Sequence, residues 1–335
     1  MAETVLSSGE KIFILHGIDA ILSFLQFCNY KADFRNDGRR RCEYRSMEIE
    51  TKLMPQTHGS ARLHIGNTDI LVGIKVELDI PHADKPNEGK LEFFVDWYVI
   101  LLMVIIVVIE CLVFFINFQI IIFSATATPA FEGKGGDDLA TEISNVLTAA
   151  YQTRNAFDLK TLCILPHKKC WKIYVDVLIL QCGGNLFDAV GIAVKAALNS
   201  TEIPKITAAT LDGGEPDIEL SDDSYDCIQL DTNISKERNF VLYLKYEIYI
   251  GDNYIVDPTL EEEVCSTSSI VMSILPNGKI SSVVKLGYGS IQFNTFTKML
   301  QMGEIIGLKL NKTLMDVLKE ETQFGRQRRI FGFLK

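Results

Sequence analysis

Residues 171–198 have the sequence WKIYVDVLILQCGGNLFDAVGIAVKAAL. The first part, 171–180, is rich in aliphatic, β-branched and aromatic side chains and predicts a strand. The pair Gly183-Gly184 follows as a turn, and an apolar helix is predicted at 186–198. A strand, a glycine turn and an apolar helix in succession indicate a domain in which helices pack on a sheet.

The same grouping of strands before helices occurs twice along the chain. Strands are predicted at 47–53, 61–66, 69–76, 91–95, 161–164, 208–211, 218–220, 240–250, 254–256 and 280–285. Helices are predicted at 138–151, 186–198 and 295–321, and the mixed segment 264–274 fits either a helix or a strand. This order predicts an α+β fold, with two subdomains of mixed β-sheets packed with α-helices.

Composition limits the classes of function. The chain has 335 residues, with 33 basic and 43 acidic side chains and a net charge of −10. This charge argues against a whole-surface electrostatic grip on nucleic acid, so such a contact must be local. The eight cysteines are scattered without a CxxC pair. We therefore expect reduced thiols and no bound metal or other cofactor.

Residues 97–123 form an apolar run in which only Glu110, Asn117 and Gln119 lie outside the hydrophobic class. The run is long enough to cross a bilayer as a helix. However, Glu110 lies at its centre, where an ionised group is costly, and the flanks have no Lys/Arg asymmetry. The run also interrupts what is otherwise a strand-rich domain.

The genetic code offers another interpretation of this run. Trp97-Tyr98-Val99 is encoded as TGG-TAY-GTN, which contains the splice-donor sequence GTAYGT. Ser124 can supply the acceptor AG, and excision in that phase leaves a single Cys codon. We therefore favour a translated intron and expect no membrane contact. A real insertion and a functional membrane span remain the alternatives.

Several motifs resemble the ribonuclease PH family, and most closely the ring subunits of the RNA exosome. These motifs are residues 35–39 (RNDGR), 59–62 (GSAR), 66–68 (GNT), 85–89 (KPNEG), 91–96 (LEFFVD), 131–138 (FEGKGGDD), 182–189 (CGGNLFDA), 256–259 (VDPT) and 261–263 (EEE). The resemblance covers nearly the whole chain, except for the run at 97–123 and two further inserts at 21–32 and 235–239.

The resemblance implies a ribonuclease PH-like fold. The expected parts are an N-terminal helix and insert at 1–34, a first domain at 35–202, a second domain at 203–294, and a C-terminal helix with a basic tail at 295–335. It also implies a hetero-hexameric ring with other ribonuclease PH-like subunits, cap subunits and a separate catalytic nuclease. Such a ring threads single-stranded RNA and contributes to rRNA maturation in the nucleus, nucleolus and cytoplasm.

The chain departs from the family's active pattern at the phosphate site. Active members have Asp-Gly-Gly-Thr-Arg-Thr, whereas this chain begins the stretch with Cys182 and has Asn185 and Leu186 in place of the Thr and Arg. The active Gly-Gly-Arg becomes a stretch that ends in Asp137, which reverses the charge. We therefore predict that phosphate binding fails and that the chain has no catalytic residues. An active phosphorolytic or metal-dependent 3′–5′ exoribonuclease is the alternative.

Four charged residues remain as candidates for residual function. Asp217 and Asp223 have the spacing of the family's carboxylate pair, but they also fit a solvated acidic turn. Arg62 and Lys134 lie in motifs near the degenerate pocket and are the candidate RNA contacts, with solvated surface charges as the alternative.

Overall fold

The computed structural model describes residues 6–18, 35–97, 134–151, 157–210, 217–220, 227–229, 242–248 and 254–324. Several predicted features lie outside the described residues: the inserts at 21–32 and 235–239, the apolar run beyond Trp97, Asp223, and the basic tail at 325–329. In the ranges described, no helix is both long and apolar enough to cross a membrane.

The first half of the chain forms a six-stranded sheet that follows helix α1 (Ser8–Ile18). Its strands are β1 (Met47–Thr51), β2 (Gly59–Ile65), β3 (Thr68–Asp79), β4 (Lys90–Trp97), β5 (Cys163–Leu165) and β6 (Lys169–Gln181). The order across the sheet is β1-β2-β3-β6-β4, and β5 pairs with β6. Only the β4–β6 pair of this sheet is parallel, so it requires a crossover, and this contains helix α2 (Lys134–Tyr151).

The second half contains a four-stranded antiparallel sheet and two short strand pairs. Its strands are β7 (Glu202–Pro204), β8 (Ile206–Thr210), β9 (Asp217–Leu220), β10 (Cys227–Gln229), β11 (Leu242–Ile248), β12 (Tyr254–Val256), β13 (Ser268–Ile274) and β14 (Ile280–Leu286). The larger sheet has the order β12-β11-β13-β14. Helix α3 (Leu186–Asn199) links the halves, and α4 (Leu260–Cys265) and α5 (Phe293–Phe324) follow.

Helix α3 lies between the two sheets. Every residue from Leu186 to Leu198 is buried, because the helix packs against β2 and β3 of the first sheet and against β11 of the second. A helix that is apolar on all sides belongs in the core of a protein. The apolar composition of 186–198 is thus explained by burial on both sides.

Helix α5 contributes to the two larger hydrophobic clusters. Met299 packs with Ile270 and Met272 of β13, whereas Leu314 and Leu318 belong to the larger core around α3. Strand β13 is buried throughout its length. The long terminal helix therefore connects the two halves through apolar packing.

The predicted α+β class is confirmed, and most predicted elements are present within a few residues of their expected bounds. The ambiguous segment 264–274 contains the end of α4 and all of β13, so neither a helix alone nor a strand alone describes it. Helix α2 begins at Lys134, four residues before the predicted start. The prediction began too late because Gly135 and Gly136 weaken the helical pattern in the sequence. The predicted domain limits stay predictions.

Candidate functional site

Gly183 and Gly184 form the turn between β6 and α3. Gly184 has a φ of +94°, and a Cβ atom there would lie 2.5 Å from the amide nitrogen of Leu260. A Cβ atom on Gly183 would lie 2.6 Å from the Cβ of Asn67. Both positions require glycine because any side chain would collide with a neighbouring segment. The turn therefore joins motifs that are far apart in the sequence.

Asn185 connects this turn to the start of α3. It is fully buried, and its φ of 55° and ψ of 52° place it in the left-handed region, which asparagine tolerates better than most residues. Its Nδ2 donates to Oδ2 of Asp188 at 3.0 Å and to Oδ1 of Asp257 at 2.9 Å. Asp188 also accepts a hydrogen bond from the hydroxyl of Tyr44 at 2.8 Å. The Asn185 amide group thus bridges two internal carboxylates.

Asp257 is the buried centre of this network. Its carboxylate accepts from Nη1 of Arg39 at 2.8 Å, and from Nη2 and the backbone N–H of Arg45, each at 2.8 Å. Burial raises the pKa of Asp257, but the hydrogen bonds and charge of Arg45 outweigh this effect and hold the pKa below its usual range. Asp257 therefore stays ionised and pairs with both arginines, and Arg39 also pairs with Asp37.

Arg35 makes a second link between the N-terminal segment and the 256–263 loop. Its Nε donates to Oε1 of Glu262 at 2.9 Å, and its Nη2 forms a close ion pair with the other carboxylate oxygen. The same guanidinium donates to the carbonyls of Val256 at 2.9 Å and Asp257 at 2.8 Å. Because Arg35 is buried, these bonds fix the position of the loop against the first domain.

The N-terminus of α3 is already occupied by a protein carboxylate. Oε1 of Glu263 accepts the backbone N–H of Asn185 at 2.9 Å. Leu186 is buried at the next position, and Arg45 donates to the carbonyls of Gly183 at 2.8 Å and Gly184 at 3.1 Å. A helix N-terminus and a nearby arginine can bind an anion. Here Glu263 accepts the amide of Asn185, and Arg45 already donates to Asp257 and to two backbone carbonyls.

The structure brings only some of the predicted site residues together. Cys182 is buried immediately before the glycine turn. Asp217 is the first residue of β9, where it pairs with Thr210, and Lys134 is the first residue of α2. Within the described part of the chain, no three His, Cys, Asp or Glu residues are grouped as metal ligands.

Arg62 lies on β2 with its side chain about half exposed. Its Nε donates to Oδ1 of Asp69 at 3.0 Å, and its Nη2 lies 2.5 Å from Oδ2 of the same residue. This bidentate ion pair neutralises part of the charge that an RNA contact requires. The predicted role of Arg62 in RNA binding stays a prediction.

Sequence reasoning missed the parts played by Arg45, Asp257 and Glu263. In the sequence Asp257 is only one member of a motif, and its hydrogen bonds to Arg45 join residues 212 positions apart. A local signal did exist at α4, since Thr259 and Glu262 form a capping box that marks a helix start. It locates the helix, but it does not show which segment the adjacent Glu263 contacts.

Family comparisons agree with this architecture. Residues 43–100 and 112–204 match domain 1 of the 3′ exoribonuclease family, and residues 248–306 match domain 2. The domain 1 match is interrupted at 101–111, inside the apolar run.

Individual relatives and solved structures point the same way. A Dictyostelium discoideum protein named "Putative exosome complex exonuclease RRP42" is 27% identical, over 94% of this chain and 98% of its own length. The exosome complex component Rrp42 of Thermococcus gammatolerans is 32% identical, over 83% and 87%. A chain of the Archaeoglobus fulgidus exosome, solved with RNA bound to the active site, has the same fold, with a TM-score of 0.66, 22% identity, and coverage of 90% of this chain and 96% of that chain. The chain belongs to the 3′ exoribonuclease, or ribonuclease PH, family and contains both of its domains.

Proposed function

We propose that the chain is a non-catalytic subunit of an exosome core ring. In this role it holds neighbouring ribonuclease PH-like subunits and cap subunits, and it guides single-stranded RNA to a separate nuclease. The ring carries out 3′–5′ RNA processing and degradation, including rRNA maturation, in the nucleus, nucleolus and cytoplasm. The names of the relatives and the two-domain match support the ring assignment.

The observation that supports the non-catalytic role is the occupied N-terminus of α3. Phosphorolysis requires inorganic phosphate beside the RNA phosphodiester, held by cationic side chains and helix amides. In this chain the amide of Asn185 donates to Glu263, and the cation position is the buried Leu186. A phosphate would have to displace the Glu263 carboxylate or lie beside it.

The electrostatic cost of that second arrangement is considerable. Two like charges about 4 Å apart repel by about 1 kcal/mol in water and by several kcal/mol in a partly buried site. Asp188 lies within the same hydrogen-bond network and adds further negative charge. The arginines that could offset this charge, Arg39 and Arg45, are already paired with Asp257 and, for Arg39, with Asp37.

A phosphorolysis assay tests the proposal. Single-stranded RNA and inorganic phosphate are incubated with the purified chain, alone and together with its ring neighbours. We expect no release of nucleoside diphosphates from the chain alone. With the neighbours present, we expect the same release from rings that contain wild-type chain or the Asp217→Asn variant. Processive release that requires Asp217 would overturn the proposal.

An active exoribonuclease is the second candidate. The name of the Dictyostelium relative favours it. Asp217, at the start of β9, is also one member of the pair of carboxylates that has the family's spacing. A metal-dependent enzyme would release nucleoside monophosphates with Mg²⁺ or Mn²⁺ and without phosphate. Release of monophosphates by the wild-type chain, but not by Asp217→Asn, would favour this candidate.

The RNA-guiding role is tested separately at Arg62 and Lys134. We expect Arg62→Glu combined with Lys134→Glu to weaken threading of single-stranded RNA through a reconstituted ring, because both substitutions place a negative charge near the RNA. The salt dependence of binding is measured in parallel. Unchanged affinity and unchanged salt dependence would remove both residues from the RNA path.

A further inference from the structure

Two cysteines face each other across the hairpin between β5 and β6. Cys163 of β5 is the direct partner of Cys170 of β6 in this antiparallel pair. A shift of the register between Cys163 and Leu165 pairs Cys163 with Cys170 instead of Trp171. The backbone N–H of Lys168 donates to the carbonyl of Leu165 at 3.1 Å and closes the turn. Because paired residues of antiparallel strands point to the same face of a sheet, both thiols lie on one face of the hairpin.

The backbone geometry of this pair suits a disulfide bond. The N–H of Cys163 donates to the carbonyl of Lys160 at the end of the 3₁₀ turn Leu159–Leu162, and not to Cys170. The two cysteines therefore do not exchange both of the bonds that define a hydrogen-bonded pair. In a non-hydrogen-bonded pair the Cα atoms lie about 4.5 Å apart, and the side chains approach more closely. This separation falls within the range of roughly 4.4–6.8 Å that disulfides require.

Apolar packing fixes both strands at this point. Leu162, which precedes Cys163, and Trp171, which follows Cys170, are buried in the larger core. The β3–β4 loop packs tightly against both of these core residues. A Cβ atom on Gly89 of that loop would lie 2.4 Å from the Cβ of Leu162 and 2.8 Å from the carbonyl oxygen of Trp171. The two cysteines therefore cannot move apart without disturbing the core.

The two thiols differ in their access to solvent. Both are reduced, and Cys163 is half-buried whereas Cys170 is fully buried. Sγ of Cys163 donates to the carbonyl of Pro86 at 3.8 Å, so a reaction at this thiol also removes a bond to the β3–β4 loop. Burial raises the pKa of both thiols, and the charge of the neighbouring Cys163 adds to the effect at Cys170. The small thiolate fraction at neutral pH makes the pair slow to react, so it responds to sustained oxidation.

We propose that Cys163 and Cys170 are a redox-active pair, which hydrogen peroxide converts into an intramolecular disulfide. The thiolate of Cys163 attacks one oxygen of the peroxide, the O–O bond breaks, hydroxide leaves, and the sulfur becomes a sulfenic acid. The thiolate of Cys170 then attacks this sulfur, so that the S–S bond forms, the S–O bond breaks and a second hydroxide leaves. The two protons of the thiols convert both hydroxides to water. The pair thus loses two electrons, the peroxide becomes two water molecules, and a dithiol reductant reverses the change. The inference is independent of the ring assignment.

The first test identifies the disulfide by peptide mass. The full chain, alone and in its reconstituted ring, is treated with millimolar hydrogen peroxide, alkylated, and digested with trypsin without reduction. Trypsin cleaves after the lysines on each side of both cysteines, which places them in the separate peptides 161–168 and 170–172. We expect these two peptides to form the main disulfide-linked product, and we expect dithiothreitol to abolish it.

Two variants assign the roles of the thiols, and circular dichroism checks that both are folded. Cys170→Ala lacks the second thiol, so Cys163 should accumulate as a sulfenic acid that dimedone traps. Cys42→Ser, at an exposed thiol, is the matched control and should form the linked product to the same extent as wild type.

The second test asks whether the fold selects this pair. Cys182 is the next cysteine along the chain, and it is buried beyond the far end of β6. In the urea-denatured chain, the Cys163–Cys170 and Cys170–Cys182 disulfides should form in amounts within about threefold of each other, because loop-closure entropy grows slowly with length. In the folded chain we expect at least about a twentyfold excess of Cys163–Cys170, because the extended strand holds Cys170 and Cys182 about 40 Å apart.

Three results would overturn the proposal. The first is the same ratio of the two disulfides in the folded and the denatured chain. The second is oxidation of Cys163 to a sulfinic acid in the folded wild type without the linked peptides. The third is a folded-chain product in which either cysteine is linked mainly to another cysteine of the chain.

Discussion

At the residue scale, the proposed lack of phosphate binding should be difficult to reverse by substitutions at Asn185 and Leu186. A threonine at 185 would adopt a left-handed conformation that costs about 1–2 kcal/mol for a residue with a Cβ, and its β-branching adds to this cost. An arginine at 186 would place a cation in a buried position. We expect Asn185→Thr/Leu186→Arg to lose several kcal/mol of unfolding free energy and to show no phosphate binding by calorimetry.

A matched variant separates the conformational cost at position 185 from the loss of the hydrogen bonds of Asn185. Asn185→Gly permits the positive φ but removes the bonds to Asp188 and Asp257, so its destabilisation measures the amide bridge alone. We expect Asn185→Thr to be less stable than Asn185→Gly. Phosphate binding by the double variant at millimolar concentration would show that the side chains at positions 185 and 186 alone prevent phosphate binding in the wild-type chain.

Asp257 is a second residue whose effect is measurable, through the pH dependence of stability. We expect Asp257→Asn to lose about 3–5 kcal/mol at pH 7, because Arg45 would lose its carboxylate partner and Arg39 would keep only Asp37. The pKa of Asp257 is lowered from 3.8, so its stabilising contribution is present above that pH and is lost as the pH falls through the lowered pKa.

Urea denaturation between pH 7 and pH 3 measures this contribution. The stability difference between wild type and Asp257→Asn should be constant from pH 7 to about pH 5 and should shrink below about pH 4. Asp316→Asn, an exposed change on α5, is the control and should show little difference at any pH. A difference for Asp257→Asn that grows on acidification would contradict the assigned direction of its pKa.

At the element scale, the contact between α3 and α5 contains a buried lysine. Lys195 is 1% exposed in the middle of α3, and its ammonium group donates to Oδ1 of Asn311 on α5. Burial lowers the pKa of Lys195 from 10.5 to about 7. The lysine therefore destabilises this contact at neutral pH, by an amount on the order of 5 kcal/mol.

We expect Lys195→Met to be more stable than wild type at pH 7, with a benefit that depends on pH. The folded state favours the neutral amine, so the cost of burial is complete at and below about pH 7 and disappears as the pH rises towards 10.5. Chemical denaturation at pH 7, 8.5 and 10 measures the difference. The variant Lys195→Met/Asn311→Leu controls for the amide oxygen of Asn311, which Lys195→Met leaves without its donor. A difference independent of pH in both variants would contradict the lowered pKa.

Elements with an unbroken pattern were predicted well, and elements at junctions were not. Helix α3 could be predicted because a long apolar run after two glycines fits few structures other than a helix. The helix–strand junction at Cys265–Ser268 was missed, because a short turn separates two elements with different hydrophobic periods. The start of α2 was missed for a different reason, since glycines oppose a helix by propensity and tertiary packing overrides them.

At the scale of the whole molecule, the apolar run is the feature that changes the protein most. Residues 101–111 have no counterpart in the matched family domain, and β4 ends at Trp97, where the run begins. We expect the mature message to lack codons 98–123 and to encode a single Cys between Asp96 and Ala125. Sequencing cDNA across codons 95 to 126 checks this expectation. A mature message that contains all of these codons would exclude the intron interpretation.

The sequence by itself determined the fold class, the family, and the replacement at positions 182, 185 and 186. These follow from local periodicity and from motifs whose members are adjacent in the chain. Only the tertiary structure decided what occupies the altered site. Arg45 reaches Asp257 across 212 residues, and Asn185 reaches Glu263 across 78. No local pattern encodes such pairs, because they depend on two glycines that let the β6–α3 turn approach the 256–263 loop, and on the packing of α3 between two sheets.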